Sequence, residues 1–277
     1  SNGNTGGTWK TINGANARVN SSTGLVTGVA AGTATITYTV TGTGGCANAT
    51  STLSITVNPN LPASVSISAS ASTICAGETV TYTATPTNGG GSPSYQWQVN
   101  GMNAGTNSTT FASSTLNSGD VVTCILTSNA TPCLTGSPAT SNTLTITVNP
   151  LPNPVTVNPA SGSFCGSTVL TAANGSSGTI YWQGTTSGGT STATPGNTQT
   201  VSASGTYYFR AQSAAGCWGP EGSATVTINN TPAAPAAQVG SAVTFESFTA
   251  NWSAVSGATD YFIDLSTDPA FGSFVSI

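Results

Sequence analysis

Three stretches of this chain close in the same way. "STLSITVNPNLP" (51–62), "NTLTITVNPLP" (142–152) and "SATVTINNTPAAP" (223–235) each alternate apolar and polar residues and then meet Asn and Pro. Proline has no backbone N–H to give to a ladder, so each stretch predicts the last strand of a sheet followed by a short, stiff junction. The junctions recur roughly every 80–90 residues, the length of one small β-sandwich. Length alone, 277 residues, suits about two domains. The repeat divides the chain more finely, into segments 1–59, 60–150, 151–230 and 231–277.

Inside the second segment, residues at period two mark inward faces: Val80, Tyr82 and Ala84; Tyr95, Trp97 and Val99; Val122, Cys124 and Leu126; Leu144, Ile146 and Val148. Turn signals separate them at "TNGGGSP" (87–93), "VNGMNAG" (99–105) and "LNSGD" (116–120). The third segment repeats the plan in "CGSTVLTAA", "IYWQG" and "SGTYYFRAQSAAGC", where Tyr207, Phe209 and Ala211 alternate inward. The fold class is all-β, a tandem array of sandwiches. Hydrophobic residues make up 37% of the chain, enough for modest cores under a surface of Thr, Ser and Asn.

Charge is nearly absent. Only 4% of residues are charged, and Lys10, Arg18 and Arg210 are the full cationic complement, so neutralising a phosphate backbone is outside the chain's means and no nucleic-acid partner is expected. No apolar run of 18 residues occurs, so no membrane insertion is expected either. Six cysteines beside almost no lysine fit an oxidising, extracellular setting.

These residues resemble known modules. "YQWQVNG" resembles strand C of an immunoglobulin-like domain with Trp97 as its core tryptophan, and "SGDVVTC" resembles the approach to strand F. Ala84 stands where the antibody pattern has its strand-B cysteine, which leaves Cys124 without that partner. In segment 151–230, Trp182 takes the strand-C position and Tyr207 that of the tyrosine corner. "STGLVTGVAAGTATITYTV" in segment 1–59 resembles the second half of a bacterial Ig-like domain of group 2, with Trp9 on strand C. "SFTANWSAVSGATDYFIDLSTD" in segment 231–277 resembles the front of a fibronectin type III domain. That resemblance implies Trp252 on strand B and Tyr261, Ile263 and Leu265 on strand C. Both end segments are thus expected to be parts of domains.

Aligning the segments on this resemblance implies disulfides Cys75–Cys133 and Cys165–Cys217. Each would close a loop of roughly 50–60 residues and contribute about 2–4 kcal/mol by restricting the unfolded chain. Cys46 then corresponds to Cys133 and Cys217, its mate expected before Ser1, and Cys124 is expected to be a free, buried thiol. A Cys124–Cys133 bond and an intermolecular bond through Cys46 stand as alternatives.

Chemistry is harder to place. With no histidine, neither a Ser-His-Asp nor a Cys-His nucleophile pair can be assembled, and imidazole zinc sites are excluded. Asp260, Asp264 and Asp268 cluster without calcium-loop spacing and read as solvated loop acids. Exposed aromatics such as Tyr208 and Trp218 offer rings that could stack on sugars, but a stripe of aromatics in a sandwich is more often core, and that is the expectation. The expectation is a chain with no catalytic residue, metal or cofactor.

The whole chain resembles the tandem-repeat surface proteins of Bacteroidota, secreted adhesins and filament proteins exported by the type IX route, including those of gliding motility. That resemblance implies display at the cell surface, reach, rigidity and attachment. It implies as partners further copies or flanking domains and an external surface or glycan. The other reading of the same modules is as accessories, carbohydrate-binding or not, beside the catalytic domain of a secreted hydrolase.

Overall fold

Residues 6–263 are described in a computed structural model, and all their strand and helix content is strand. The chain divides into two compact units between Pro150 and Leu151.

The first five strands are β1 (Gly7–Thr11), β2 (Ala17–Val19), β3 (Val26–Gly28), β4 (Gly32–Val40) and β5 (Ala49–Val57). β1, β4 and β5 form one antiparallel sheet in that order, and β2 pairs with β3. Its buried apolar residues are small in number, Ala17, Ala34 and Ile36. Trp9, expected in a core, lies half-buried on β1 with its ring 4.5 Å from that of Tyr38. Because β1 is an edge strand, the indole packs along the surface and not in a core.

The next sandwich holds β6 (Leu61–Pro62), β7 (Ser64–Ala69), β8 (Thr73–Cys75), β9 (Val80–Thr87), β10 (Ser94–Val99), β11 (Met102–Ala104), β12 (Thr110–Ser113), β13 (Val121–Thr127), β14 (Leu134–Thr135), β15 (Ala139–Thr140), β16 (Leu144–Thr145) and β17 (Thr147–Asn149). One sheet runs β12-β9-β7, the other β11-β10-β13-β15, with β16 also on β13. The first strand then changes sides: after β7, β8 pairs in parallel with β17. Trp97, Tyr82, Val80, Val122, Cys124, Leu126 and Ile146 fill the space between the sheets. The Trp97 indole N–H donates to the Ser108 carbonyl at 2.9 Å, and its ring lies 5.8 Å from Phe111. A large ring with its one polar atom satisfied is how a tryptophan becomes fully buried.

The second unit repeats this plan with β18 (Val155–Asn158), β19 (Ser161–Cys165), β20 (Thr168–Asn174), β21 (Thr179–Trp182), β22 (Thr198–Val201), β23 (Gly205–Gln212) and β24 (Gly222–Asn229). Sheet β18-β20-β22 faces sheet β19-β24-β23-β21, and β19 again runs parallel to the terminal strand β24. Leu170, Phe209, Ala211 and Val226 form its centre. Trp182 packs on the margin of that cluster, half-buried, because β21 is the edge strand. Its ring stacks 5.4 Å from Tyr207.

Beyond it, β25 (Ala237–Ser241) and β26 (Thr249–Trp252) make a two-stranded sheet. Trp252 is on a strand, as the fibronectin resemblance implies, but half-buried beside Tyr261 at 5.7 Å and not in a core. Two strands enclose no interior. Tyr261 and Ile263, expected on a strand, are in irregular backbone, and Leu265 lies outside the described residues.

Candidate functional site

The cysteines are the residues whose chemistry the sequence singled out, and the ladders fix where each one sits. Cys75 ends β8 opposite Asn149, the last residue of β17. Cys133 lies in the loop after β13, its carbonyl accepting the Leu61 N–H at 3.0 Å, where the chain enters the sandwich. The terminal strand, Ala139 to Asn149, separates these poles by roughly 30 Å at about 3.3 Å per residue. The second unit has the same layout. Cys165 ends β19 opposite Asn229, whereas Cys217 lies in the loop between β23 and β24, hydrogen-bonded to Ser213. A disulfide needs Cα atoms within about 7 Å, so neither expected pair can form within its sandwich.

The bonding state agrees. Cys75 and Cys217 are disulfide-bonded, but Cys133 and Cys165 carry free, exposed thiols, which overturns both Cys75–Cys133 and Cys165–Cys217. It also removes the Cys124–Cys133 alternative, since both thiols are free. Cys46 is free and exposed in the turn joining β4 to β5. Cys124 is free and fully buried as expected, and burial pushes its thiol from 9.0 up to about 11. A thiol held protonated among apolar neighbours is packing, not a nucleophile.

Two polar devices hold the sandwich corners. The Tyr207 hydroxyl donates to the Ala203 carbonyl at 2.8 Å, the tyrosine corner that the resemblance implies. In the preceding sandwich, Asp120 accepts from the Asn117 N–H and from the Asn100 side chain, each at 2.8 Å. Those two hydrogen bonds, the backbone one first, hold its carboxyl below the ordinary carboxylate range.

On the outer face of β21 and β23 lies one arrangement that alternation did not disclose. The Arg210 guanidinium sits 5.4 Å from the Trp218 ring centre, and Tyr181 meets the same indole edge-on at 5.6 Å. Arg210 also donates to the Gly188, Gly189 and Gly219 carbonyls at 3.0–3.1 Å. Glu221 accepts from Ser187 and from the Gly188 N–H. One face of the Trp218 indole is therefore covered by a cation. The cluster rivets two loops to the sheet, so Trp218 is not a bare stacking platform. Tyr208 is half-buried on the same outer face. A period-two pattern shows only that Arg210 points outward; its carbonyl partners come from loops distant in sequence.

Among the described residues no group of three or more His, Cys, Asp or Glu side chains could hold a metal, and no helix is long and apolar enough to cross a membrane. Asp260 is exposed, and Asp264 and Asp268 lie outside the described residues.

With the geometry in place, comparison with known proteins gives the following. Residues 1–51 match the bacterial Ig-like domain (group 2) family. The chain is similar in fold to the eight N-terminal Ig domains of Down Syndrome Cell Adhesion Molecule, at 15% identity and a TM-score of 0.38 over 84% of this chain and 33% of that one. It thus spans about a third of that structure. It is also similar to three N-terminal domains of the bacteriophage RB49 outer capsid protein Hoc, at 13% identity and a TM-score of 0.29 over 60% of this chain and 59% of that one. A third likeness is to the fibronectin(III)-like modules of Clostridium thermocellum CbhA, at 16% identity and a TM-score of 0.27 over 52% of this chain and 78% of that one. No curated protein matches. The chain is all-β and built of tandem Ig-like sandwiches.

Proposed function

We propose that this chain is a non-enzymatic segment of a long extracellular fibre or adhesin, of the surface-protein kind that Bacteroidota export by the type IX route and use in attachment and gliding. The observation that carries the reading is the division of labour along strands such as β20 and β24. In β24, Ala224 and Val226 are buried while Ser223, Thr225 and Thr227 face water; β20 does the same with Leu170 and Ala172 against Thr171. Most apolar side chains of these strands pack inward, and apart from Val169 on β20 the outer face offers hydroxyl groups without charge. Such a face binds by hydrogen bonds and close contact, which salt does not screen.

The four segments supply reach, their neighbours being further copies or flanking domains. An external surface or glycan is what they touch. Three cationic side chains, one of them engaged in the loop rivet, suit neither nucleic acid nor an anionic bilayer. The disulfide state of Cys75 and Cys217 supports an oxidising, extracellular location.

The test is attachment. Inert beads coated with the chain should be retained on glass, cells or polysaccharide films equally in low and in molar salt. Failure to adhere to any of these overturns the reading. Strong binding to a single polysaccharide on a glycan array replaces it with an accessory module of a secreted hydrolase.

A further inference from the structure

Beside the rivet of Arg210 and Trp218 the second unit carries an open cleft of about 480 Å³, lined by the Ser177–Thr179 turn, Tyr181 and the stretch Gln212–Ala214. The β21–β23 ladder sets it out: Thr179 stands opposite Gln212 and Tyr181 opposite Arg210, all turned away from Phe209 and Ala211 in the core. Backbone bridges from Tyr181 to Pro195 and from Gln212 to Trp218 brace both strands from outside. The turn comes in close because Gly178 has no side chain; a Cβ there would lie 2.8 Å from the Gln212 carbonyl oxygen. Ser177, just before it, sits at φ 71°, a left-handed backbone that a serine adopts at a cost. The Tyr181 ring is fixed before any ligand arrives. Trp218 meets it at 5.6 Å and Arg210 covers the indole in turn, so little rotamer freedom is left to lose on binding.

We propose that this cleft binds an uncharged polysaccharide, the Tyr181 ring packing on the C–H face of a pyranose while the polar groups around it exchange hydrogen bonds with the sugar hydroxyls. The lining selects that chemistry. None of its side chains is charged, so an ionic ligand would be desolvated there without a partner. An apolar ligand would strip water from the lining hydroxyls and return nothing. The hydroxyls of Ser177, Thr179 and Tyr181 make no hydrogen bond to the protein among the described residues. The Gln212 amide uses one N–H on the Gly216 carbonyl at 3.2 Å and keeps a second N–H and its oxygen for a ligand. One ring and one amide hold a single sugar chain weakly and across related sugars, and grip comes from many copies acting together. The proposal rests on the attachment reading and gives it a point of contact.

The experiment draws beads coated with the full chain over films of dextran and of mannan, both neutral, and over glass and cells. The native chain should be retained on at least one film, equally in low and in molar salt. Tyr181→Ala, which removes the ring, and Thr179→Arg, which puts a bulky charge at an exposed position of the cleft, should each cut that retention about tenfold or more. Tyr208→Ala, on the same outer face but outside the cleft, should keep it. Cooperative urea transitions show that each variant is folded. Films that hold both cleft variants as firmly as the native chain overturn the proposal. So does a native chain that is held by glass or cells but by neither film, and in both cases attachment itself stands. Retention on no surface at all removes the attachment reading and the cleft's role with it.

Discussion

Tyr207 and Tyr82 bury the same phenol in two different settings. The Tyr207 hydroxyl donates to Ala203, whereas the Tyr82 hydroxyl is buried with no hydrogen-bond partner and faces the cost of desolvation uncompensated. Phenylalanine at the two positions should therefore act in opposite directions. Tyr207→Phe should lower stability by about 1 kcal/mol, and Tyr82→Phe should leave it unchanged or raise it, both read from urea midpoints at constant m. Burial, then the nearby Asp120 charge, raise the Tyr82 phenol above its ordinary 10.0. A raised acid pKa means that its share of stability is whole below pH 10 and disappears as pH climbs through the folded value, and Tyr82→Phe should blunt that alkaline loss. Cys124 gives a count: a thiol reagent at neutral pH should titrate three cysteines in the native chain, Cys46, Cys133 and Cys165, and a fourth only after denaturation. Four reactive thiols in the native state would show that the core opens.

At the level of strands and turns, Asp120 ties the turn before β13 to the β10–β11 hairpin through Asn117 and Asn100. Its carboxyl is depressed, so the stability it adds is present above the ordinary value of 3.8 and is lost as pH falls through the lower folded value. Asp120→Asn should flatten the acid limb of a stability-against-pH curve below the ordinary value of 3.8, and an unchanged limb would remove Asp120 from that role. Strands such as β9, β10 and β13 were legible from Val80, Tyr82, Trp97 and Leu126 because each has one buried and one wet face, which period two reports directly. The crossing of β8 to β17 and of β19 to β24 was not, since parallel pairing of a short edge strand leaves no mark in composition. The cysteine assignment failed for that reason. Spacing aligned Cys75 with Cys165 and Cys133 with Cys217, but a separation along the chain does not say which pole of a sandwich a residue occupies. Tyr261 and Ile263 failed differently: their alternation is real, but among the described residues no adjacent strand pairs with them.

For the molecule as a whole, scarcity of charge becomes protection. Trypsin has only Lys10, Arg18 and Arg210 to recognise, and Arg210 is held within β23 by its bonds to Gly188, Gly189 and Gly219. Native protein should lose at most its first 18 residues to trypsin, with Arg210–Ala211 cut only after unfolding; early cleavage there, seen by mass spectrometry, would contradict the rivet. The parallel pairing of first and last strands has a mechanical meaning for each complete sandwich. When the two ends of the chain are drawn apart, β8 and β17, like β19 and β24, are dragged past one another along their length. Every rung between them then bears tension at once and the ladder cannot unzip rung by rung, which is the arrangement that makes a small domain slow to yield under a steady pull.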